Sequence, residues 1–403
     1  MALAALTYLD RVCIAIVAPS IMRDLRLTTI QMSYVFSAFT LAYALFEIPS
    51  AWWADRVGSR RVLTRIVLWW SAFTMATAGA FNYAALLAIR FLFGVGEAGA
   101  WPNAARVFTR WIPARERGRV QGVFFAGAHL SGGLTPILVA YLTTFLPWRV
   151  IFLLFGCLGF VWALAWYAWF RDEPRDHPSV SPSERDLIES TRGLPSDHGG
   201  AWGDVFRTRS LVPLCLQYLA NTYGFYFFIT WLPTYLSKSR GMIKAELAIF
   251  AGLPLILSAL ADITGGVTTD LLSRRFGLRL GRCAVGAVAY LTAAIAMLSG
   301  TLIADGRLAG MLIAFGGASS MFTLAPAWAT AIELGGRNSA VLSATMNTAG
   351  QIGGILSPIV LAYIVDRLGN WSMPLHIVSA LYLMAAICWI FIHPERSPAA
   401  ESC

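Results

Sequence analysis

The chain has 403 residues, of which 57 % are hydrophobic and 13 % are charged. This charged share is about half that of ordinary globular domains, and so little polar surface cannot cover a body of this size in water. The aromatic content of 13 %, with 15 Trp, is typical of proteins that face lipid and headgroups. The composition excludes a disordered, a collagen-like or a disulfide-stapled protein and predicts an integral membrane protein.

The net charge of +9 could suggest nucleic-acid binding, but the basic residues fall in short groups between apolar runs, which is how membrane topology is encoded. We therefore expect no nucleic-acid partner. The six cysteines are scattered without a CxxC pair, so the sequence implies neither a metal site nor a disulfide framework.

Apolar runs of about 20 residues, the length that crosses a bilayer as a helix, occur twelve times. Runs this long lack the alternation of a β-barrel, so the predicted fold class is an all-α membrane protein with 12 transmembrane helices. The runs lie at residues 2–22, 31–54, 62–80, 85–108, 118–142, 148–170, 211–236, 246–269, 280–303, 308–331, 338–365 and 372–393.

The connections differ strongly in basic charge. Those after even-numbered spans, with the adjoining span ends and the C-terminal tail, carry 21 Lys and Arg, and those on the other side, counted in the same way, carry 8. Because positive loops stay inside, we expect both termini to be cytoplasmic. The predicted organisation is an N-terminal six-helix bundle (1–170), a cytoplasmic linker (171–210) with a short helix near its residues 184–190, a C-terminal bundle (211–393) and a cytoplasmic tail (394–403).

The two halves repeat each other. The segment after span 2, Ala51–Arg61, and the segment after span 8, Gly266–Arg275, each place an Asp at a helix end with two Arg soon after it. Span 5 contains GGLTPILVAY and span 11 contains GGILSPIVLAY. These matches indicate two parallel six-helix pseudo-repeats, an arrangement found in transporters built around a site at the membrane midplane.

The repeated loop resembles the signature of the major facilitator superfamily, Gly-x-x-x-Asp-Arg-x-Gly-x-Arg-Arg, with Ala51 in place of the first Gly. Within that superfamily the chain is similar to the anion:cation symporters, which carry sugar acids and other organic anions. The residues that carry this narrower resemblance are Tyr8-Leu9-Asp10-Arg11, Arg90-x₃-Gly94-x-Gly96-Glu97-Ala98, Pro102, Trp111-Ile112-Pro113, Trp231-Leu232-Pro233-Thr234-Tyr235-Leu236 and Asn347.

Charged residues inside the predicted spans need a reason, because each costs at least about 2.5–3.5 kcal/mol at the bilayer centre. Asp10 and Arg11 lie in span 1, and Arg90 and Glu97 lie in span 4. The last two share a helix face but are about 10 Å apart along the axis, so each requires a partner on another helix or a ligand. They either form structural ion pairs between spans 1 and 4 or take part in transport.

A role in transport follows from their chemistry. Arginine suits bidentate carboxylate recognition, and a buried carboxyl without a permanent partner can bind a proton near neutral pH. Our hypothesis is that Arg11 and Arg90 bind the substrate carboxylate and that Asp10 and Glu97 carry the coupling proton. The resemblance implies the same roles for these four positions.

Other polar residues are weaker candidates. Tyr8, Tyr43 and Asn347 are predicted substrate donors that the resemblance favours, although membrane tyrosines are more often packing or interface residues. Secondary candidates are Gln351, Asn221, Tyr226 and His129. A further set is predicted to be structural or gating at the cytoplasmic side: Asp55, Arg56, Gly58, Arg60, Arg61, Asp270, Arg274, Glu47 and Asp262.

The predicted function is a secondary transporter, not an enzyme, that moves an organic anion such as an aldonate or hexuronate by proton symport. It uses no cofactor besides the coupling proton, and we expect a monomer in the plasma membrane, which in a bacterium is the inner membrane. Three alternatives remain: an organic-phosphate antiporter, a membrane-embedded enzyme and a non-transporting sensor. The carboxyls of Asp10 and Glu97 argue against a phosphate dianion, and the five His show no HExxH or HxxxH spacing.

Overall fold

A computed structural model describes residues 1–112, 117–190, 206, 208–335 and 339–394, and every regular element in them is helical. Long helices with short connections form the first half of the chain. They are α1 (Ala2–Leu25), α2 (Thr29–Val57), α3 (Ser59–Ala78), α4 (Tyr83–Glu97), α5 (Ala100–Trp111), α6 (Arg117–Leu142) and α7 (Trp148–Trp169).

A 3₁₀ turn (Pro174–Asp176) and α8 (Pro182–Ser190) follow, the latter where a short helix was expected in the linker. The second half contains α9 (Leu211–Thr230), α10 (Leu232–Lys238), α11 (Lys244–Phe276), a π-helical turn (Leu280–Ala284), α12 (Val285–Leu302), α13 (Gly306–Met321), α14 (Leu324–Gly335), α15 (Ser339–Leu368) and α16 (Met373–Ile390).

Ten helical stretches of this described part are long and apolar enough to cross a membrane, by length and composition. Helices α3 and α9 cover the predicted spans 3 and 7 but are not among the ten. Three arginines in the first two turns lower the hydropathy of α3. Gln217, Asn221 and three tyrosines do the same in α9.

The chain divides into two compact units. The first comprises Met1–Ser131 with Tyr141–Ser196, and the second comprises Gly132–Ala140 with Asp197–Cys403. Within the first unit α3 packs along α7 and α2 along α4, and within the second α12 packs along α16 and α11 along α13. Spans 3 and 6 and spans 2 and 4 of the first half therefore pack in the same way as their counterparts, spans 9 and 12 and spans 8 and 10, do within the second half, in keeping with the sequence repeat.

Three predicted spans are interrupted rather than continuous. Span 4 divides at Ala98–Gly99 into α4 and α5, and span 10 divides at Phe322–Thr323 into α13 and α14. Span 7 divides at Trp231, where Pro233 stands in the first turn of α10 and cannot donate to the preceding turn. Hydropathy does not detect such breaks, because the residues at each break are themselves mostly apolar.

Helix starts and close contacts fix the position of α4. The side chain of Asn82 accepts a hydrogen bond from the Ala85 amide at 2.8 Å and so caps the helix. One face of α4 lies directly against α2: a Cβ at Gly94 would stand 2.5 Å from the backbone oxygen of Phe39. Glycine therefore sets how closely α2 and α4 approach.

Candidate functional site

Four ionisable residues from the middle of α1 and from α4 meet inside the first unit. The exposed fractions of Asp10 and Arg90 are 2 % each, and that of Glu97 is 0 %. The side chain of Arg11 is 10 % exposed. Charges this deeply buried in a membrane helix bundle must compensate one another or bind a ligand. We call Asp10, Arg11, Arg90 and Glu97 the charged cluster.

An ion pair links the two helices of the charged cluster. The Nε of Arg11 on α1 donates a hydrogen bond to Oε1 of Glu97 on α4. The Arg90 guanidinium lies within electrostatic range of the carboxylates of Asp10 and Glu97. Within the described part of the chain it is more than 4.0 Å from the Glu97 carboxylate oxygens and so forms no ion pair with them. The sequence-based expectation that Glu97 needs a partner on another helix agrees with this geometry.

Aromatic rings surround both guanidinium groups. The central carbon of Arg11 lies 5.0 Å from the ring centroids of Phe39 and Tyr43 and 5.9 Å from that of Tyr8. The central carbon of Arg90 lies 4.3 Å from the Phe93 centroid and 5.4 Å from that of Phe39. Such contacts stabilise a desolvated cation and restrict the positions that the two groups can occupy.

Part of the hydrogen-bonding capacity of the charged cluster is not used within the described part of the chain. The Nε of Arg90 and the Oε2 of Glu97 are buried and have no hydrogen-bond partner there. Buried polar groups are otherwise almost always paired. The Arg90 Nε donor is suited to binding an anion, and the Glu97 Oε2 acceptor is suited to binding a proton.

The break in span 4 lies next to this cluster. Helix α4 ends at Glu97, and α5 begins at Ala100 after the turn at Ala98–Gly99. The carboxylate thus stands at the end of a helix rather than in its interior. A short unwound segment at membrane depth is tolerated where protein or a cavity surrounds it.

The predicted residues Tyr8, Tyr43 and His129 lie close to the charged cluster. All three are buried. The Tyr8 ring meets the His129 ring edge to face, with 5.5 Å between centroids, and it meets Trp101 at 6.4 Å. Because Tyr8 and Tyr43 also contact the Arg11 guanidinium, the fold brings three separate sequence candidates to one place.

The candidates of the second unit have different surroundings. Asn221 is buried, and its Nδ2 donates to the backbone oxygen of Ser320 at 2.9 Å and to Thr323 Oγ1 at 3.4 Å. Tyr226 is also buried, whereas Asn347 and Gln351 on α15 are half-buried. The hydrogen bonds of Asn221 tie α9 to the break between α13 and α14, which is a structural contact. A role in substrate binding stays a prediction for all four.

The predicted gating residues are only partly described. Asp55 and Arg56 fall in α2, but their side chains lie outside the described part. The Arg60 amide donates to Asp172 Oδ1 at 2.9 Å, and its Nε donates to the Tyr167 backbone oxygen at 2.9 Å. Gly58 precedes α3 with φ 94°.

The remaining gating candidates are either exposed or half-buried. Arg61, Asp270 and Arg274 are exposed, and Glu47 and Asp262 are half-buried. Their roles stay predictions.

Several contact residues were not predicted. Phe39 and Phe93 contact the guanidinium groups, and only the four-residue spacing of Phe39 and Tyr43 on α2 could have indicated a shared face. Asp172 caps the start of α3 from the segment that the sequence assigned to the linker. The only sequence signal for this contact was the presence of an acidic residue directly after span 6.

Comparison with known proteins decides the family. Residues 1–358 match the Major Facilitator Superfamily. The chain belongs to this superfamily. It is therefore a multi-pass membrane transporter and not an enzyme, as the sequence predicted.

The curated relatives extend over nearly the whole chain. A protein named "Probable sulfoacetate transporter SauU" from Cupriavidus necator is 34 % identical, covering 96 % of this chain and 91 % of that protein. "Probable galactarate/D-glucarate transporter GudP" of Bacillus subtilis is 28 % identical (96 % and 89 % covered). The "Hexuronate transporter" of the same organism is 27 % identical (96 % and 92 %). The resemblance to sugar-acid transporters of the anion:cation symporter type is confirmed.

A solved structure shares the fold. It is a bacterial homologue of the human lysosomal transporter Spinster, in an inward-facing and unoccupied conformation. The two superpose with a TM-score of 0.73 at 20 % identity, covering 97 % of this chain and 92 % of the other. At 20 % identity this similarity shows a shared fold and does not indicate a shared function.

Proposed function

We propose that this protein moves an organic monoanion, a sugar acid such as an aldonate or hexuronate, across the membrane together with a proton. The ten apolar stretches and helices α3 and α9 would make twelve spans with both termini in the cytoplasm. Alternating access would come from rocking of residues 1–170 against 211–393. The observation that carries the proposal is the buried charged cluster of α1 and α4.

The charge of the cluster sets the order of events. With both carboxyls ionised, two arginines and two acids sum to zero, and a buried neutral cluster gives an anion no net attraction. One bound proton leaves a net charge of +1, which matches a monoanion. Proton binding therefore precedes or accompanies substrate binding, and the loaded site is neutral while it is closed off from water between the two access states.

The ion pair between Arg11 and Glu97 is the contact that substrate must replace. A proton on Glu97 weakens its bond to Arg11, and the guanidinium can then take the substrate carboxylate instead. Arg90 supplies the second cation, and Tyr8 and Tyr43 would donate to substrate hydroxyls from the first half. Asn347 would do so from the second half.

A compact dianion is the second candidate substrate, because the relative named for sulfoacetate is more than 30 % identical. Sulfoacetate carries a sulfonate and a carboxylate. Two negative charges require both Asp10 and Glu97 to be protonated if the loaded cluster is to be neutral. The two candidates thus differ in proton stoichiometry: one proton for a monoanion and two for the dianion.

Uptake into proteoliposomes tests the proposal. Purified protein is reconstituted, a pH gradient is imposed, and uptake of D-galactonate, D-glucuronate and sulfoacetate is measured. At equilibrium the accumulation ratio follows the proton gradient linearly for one proton and as its square for two. An organic-phosphate antiporter would instead exchange substrate without proton movement.

Two variants and a matched control address the cluster. Arg90→Ala removes a binding cation, and Glu97→Gln removes a proton carrier of nearly the same shape. Glu246→Gln makes the same chemical change at an exposed ion pair with Arg307 in the second unit. We expect both cluster variants to lose proton-driven accumulation while the control retains it. Normal accumulation by Arg90→Ala or Glu97→Gln would refute the assigned roles.

A further inference from the structure

A groove of about 690 Å³ opens on the surface of the first unit, between α2, α3 and α4. No residue of the charged cluster lines it, although Gly96 precedes Glu97 in the chain, and the proposed transport mechanism makes no use of it. Its lining is apolar except for one hydroxyl and one guanidinium. The lining residues are Phe46, Pro49, Ser50, Arg65, Ile66, Leu68, Trp69, Val95 and Gly96.

The walls of the groove are fixed by specific contacts. The Nε1 of Trp69 donates to the Leu92 backbone oxygen at 2.8 Å, which holds the indole over α4. Gly96 forms the floor beneath the indole: a Cβ there would overlap the Trp69 ring. The Phe73 ring, one turn further along α3, packs on Trp69 with 5.3 Å between centroids. These contacts fix the position of the Trp69 indole, which forms one wall of the groove.

Charge is distributed unevenly along the groove. Arg61, Arg65 and Trp69 are spaced four residues apart and so lie on one face of α3, and all three are exposed. Arg65 is about 9 Å along the axis from the start of α3. An arginine at this depth can extend its guanidinium toward the headgroup layer while its methylenes lie on the apolar wall.

We propose that this groove binds an anionic phospholipid of the surrounding bilayer, with its phosphate on Arg65 and an acyl chain along Trp69 and Val95. Guanidinium groups bind phosphate in a bidentate manner, and basic sites between membrane helices suit anionic headgroups. The apolar walls favour a lipid over a free anion, because a hydrated ion gains nothing from the remaining surface of the groove. Exposed Trp beside Arg is typical of the membrane interface.

Native mass spectrometry of the purified full chain tests the lipid. Phosphatidylglycerol and phosphatidylethanolamine are titrated in turn, and bound lipid is counted. We expect phosphatidylglycerol to bind more tightly, and Arg65→Gln to lose roughly five-fold in its affinity, which corresponds to about 1 kcal/mol for one basic residue near the surface. Arg65→Lys should lose less affinity than Arg65→Gln, since it keeps the charge but not the bidentate contact.

The control and a second measurement make the test decisive. Arg279→Gln removes one exposed arginine of the second unit and should leave binding unchanged. Phosphatidylglycerol with a diazirine in its acyl chain should crosslink to residues 46–50, 66–69 or 95–96, also in the Arg65→Lys protein. Equal losses for Arg65→Gln and Arg279→Gln, crosslinks confined to other helices, or displacement of the lipid by soluble glycerol phosphate would each overturn the proposal.

Discussion

The ion pair between Arg11 and Glu97 allows a quantitative prediction. Its carboxylate is fully buried and its guanidinium is 10 % exposed, so solvent screens the pair weakly. With the charge centres about 4 Å apart and an effective dielectric constant of about 20, the attraction is about 4 kcal/mol. Removing one partner leaves the other charge buried, which typically costs about 3–5 kcal/mol.

The perturbation is a double-mutant cycle of Arg11→Gln and Glu97→Gln. Each single variant leaves the charged cluster with a net charge of one unit, whereas the double variant leaves it neutral. We expect each single change to lower the free energy of unfolding by about 3 kcal/mol or more. The double variant should recover much of this loss, with a coupling energy of about 2–3 kcal/mol.

Unfolding in detergent micelles, followed by tryptophan fluorescence, measures the cycle. The matched control is the same cycle at the Arg307–Glu246 pair, whose arginine side chain is 71 % exposed. Water screens that pair, so we expect no measurable coupling there. If the two cluster variants were additive within about 0.5 kcal/mol, the reasoning that the pair compensates two buried charges would be refuted.

Three further predictions concern packing, capping and pH. Gly94→Ala should destabilise the protein by about 1–3 kcal/mol, because the new Cβ meets the Phe39 backbone oxygen. Gly266→Ala should leave the stability unchanged, because its Cβ would make an ordinary 3.7 Å contact with the Ala325 Cβ. Thermal unfolding measures both variants. Asn82→Ala should lower the stability by about 1 kcal/mol through loss of the α4 cap. Asn82→Asp should keep the stability, because Asp can also cap the helix; thermal unfolding again measures both. Uptake should rise as the external pH falls, since protonation frees the arginines, and Glu97→Gln should flatten this dependence in initial-rate assays.

The helical membrane fold could be predicted because hydropathy is a local property. A run of apolar residues must satisfy its backbone within itself in lipid, so length and composition suffice to locate a helix. The repeat was visible for a related reason: the loop at Ala51–Arg61 and its counterpart at Gly266–Arg275 preserve the residues that the same helix ends require.

The helix breaks could not be predicted in this way. Ala98 and Gly99 form a turn in the middle of span 4, yet the run of apolar residues continues through them. A Cβ at Gly99 would overlap the Ser50 side chain, so the requirement for glycine there comes from a neighbouring helix. Nothing within span 4 itself encodes that contact.

The candidate site was predicted in part. The cost of burying charge in a membrane helix predicted Asp10, Arg11, Arg90 and Glu97 from the sequence alone. The pairing of Arg11 with Glu97, rather than with the adjacent Asp10, depends on how α1 lies against α4. The contacts of Phe39 with both guanidinium groups depend in addition on α2.

The sequence by itself thus determined the membrane environment, the helices and the buried charges, since each follows from the transfer of short segments from water to lipid. Tertiary structure decided which charges neutralise one another, where the helices unwind, and where Trp69 and Gly96 leave a groove beside Arg65. Those features depend on distances between residues far apart in the chain, and such distances are fixed only when the helices pack.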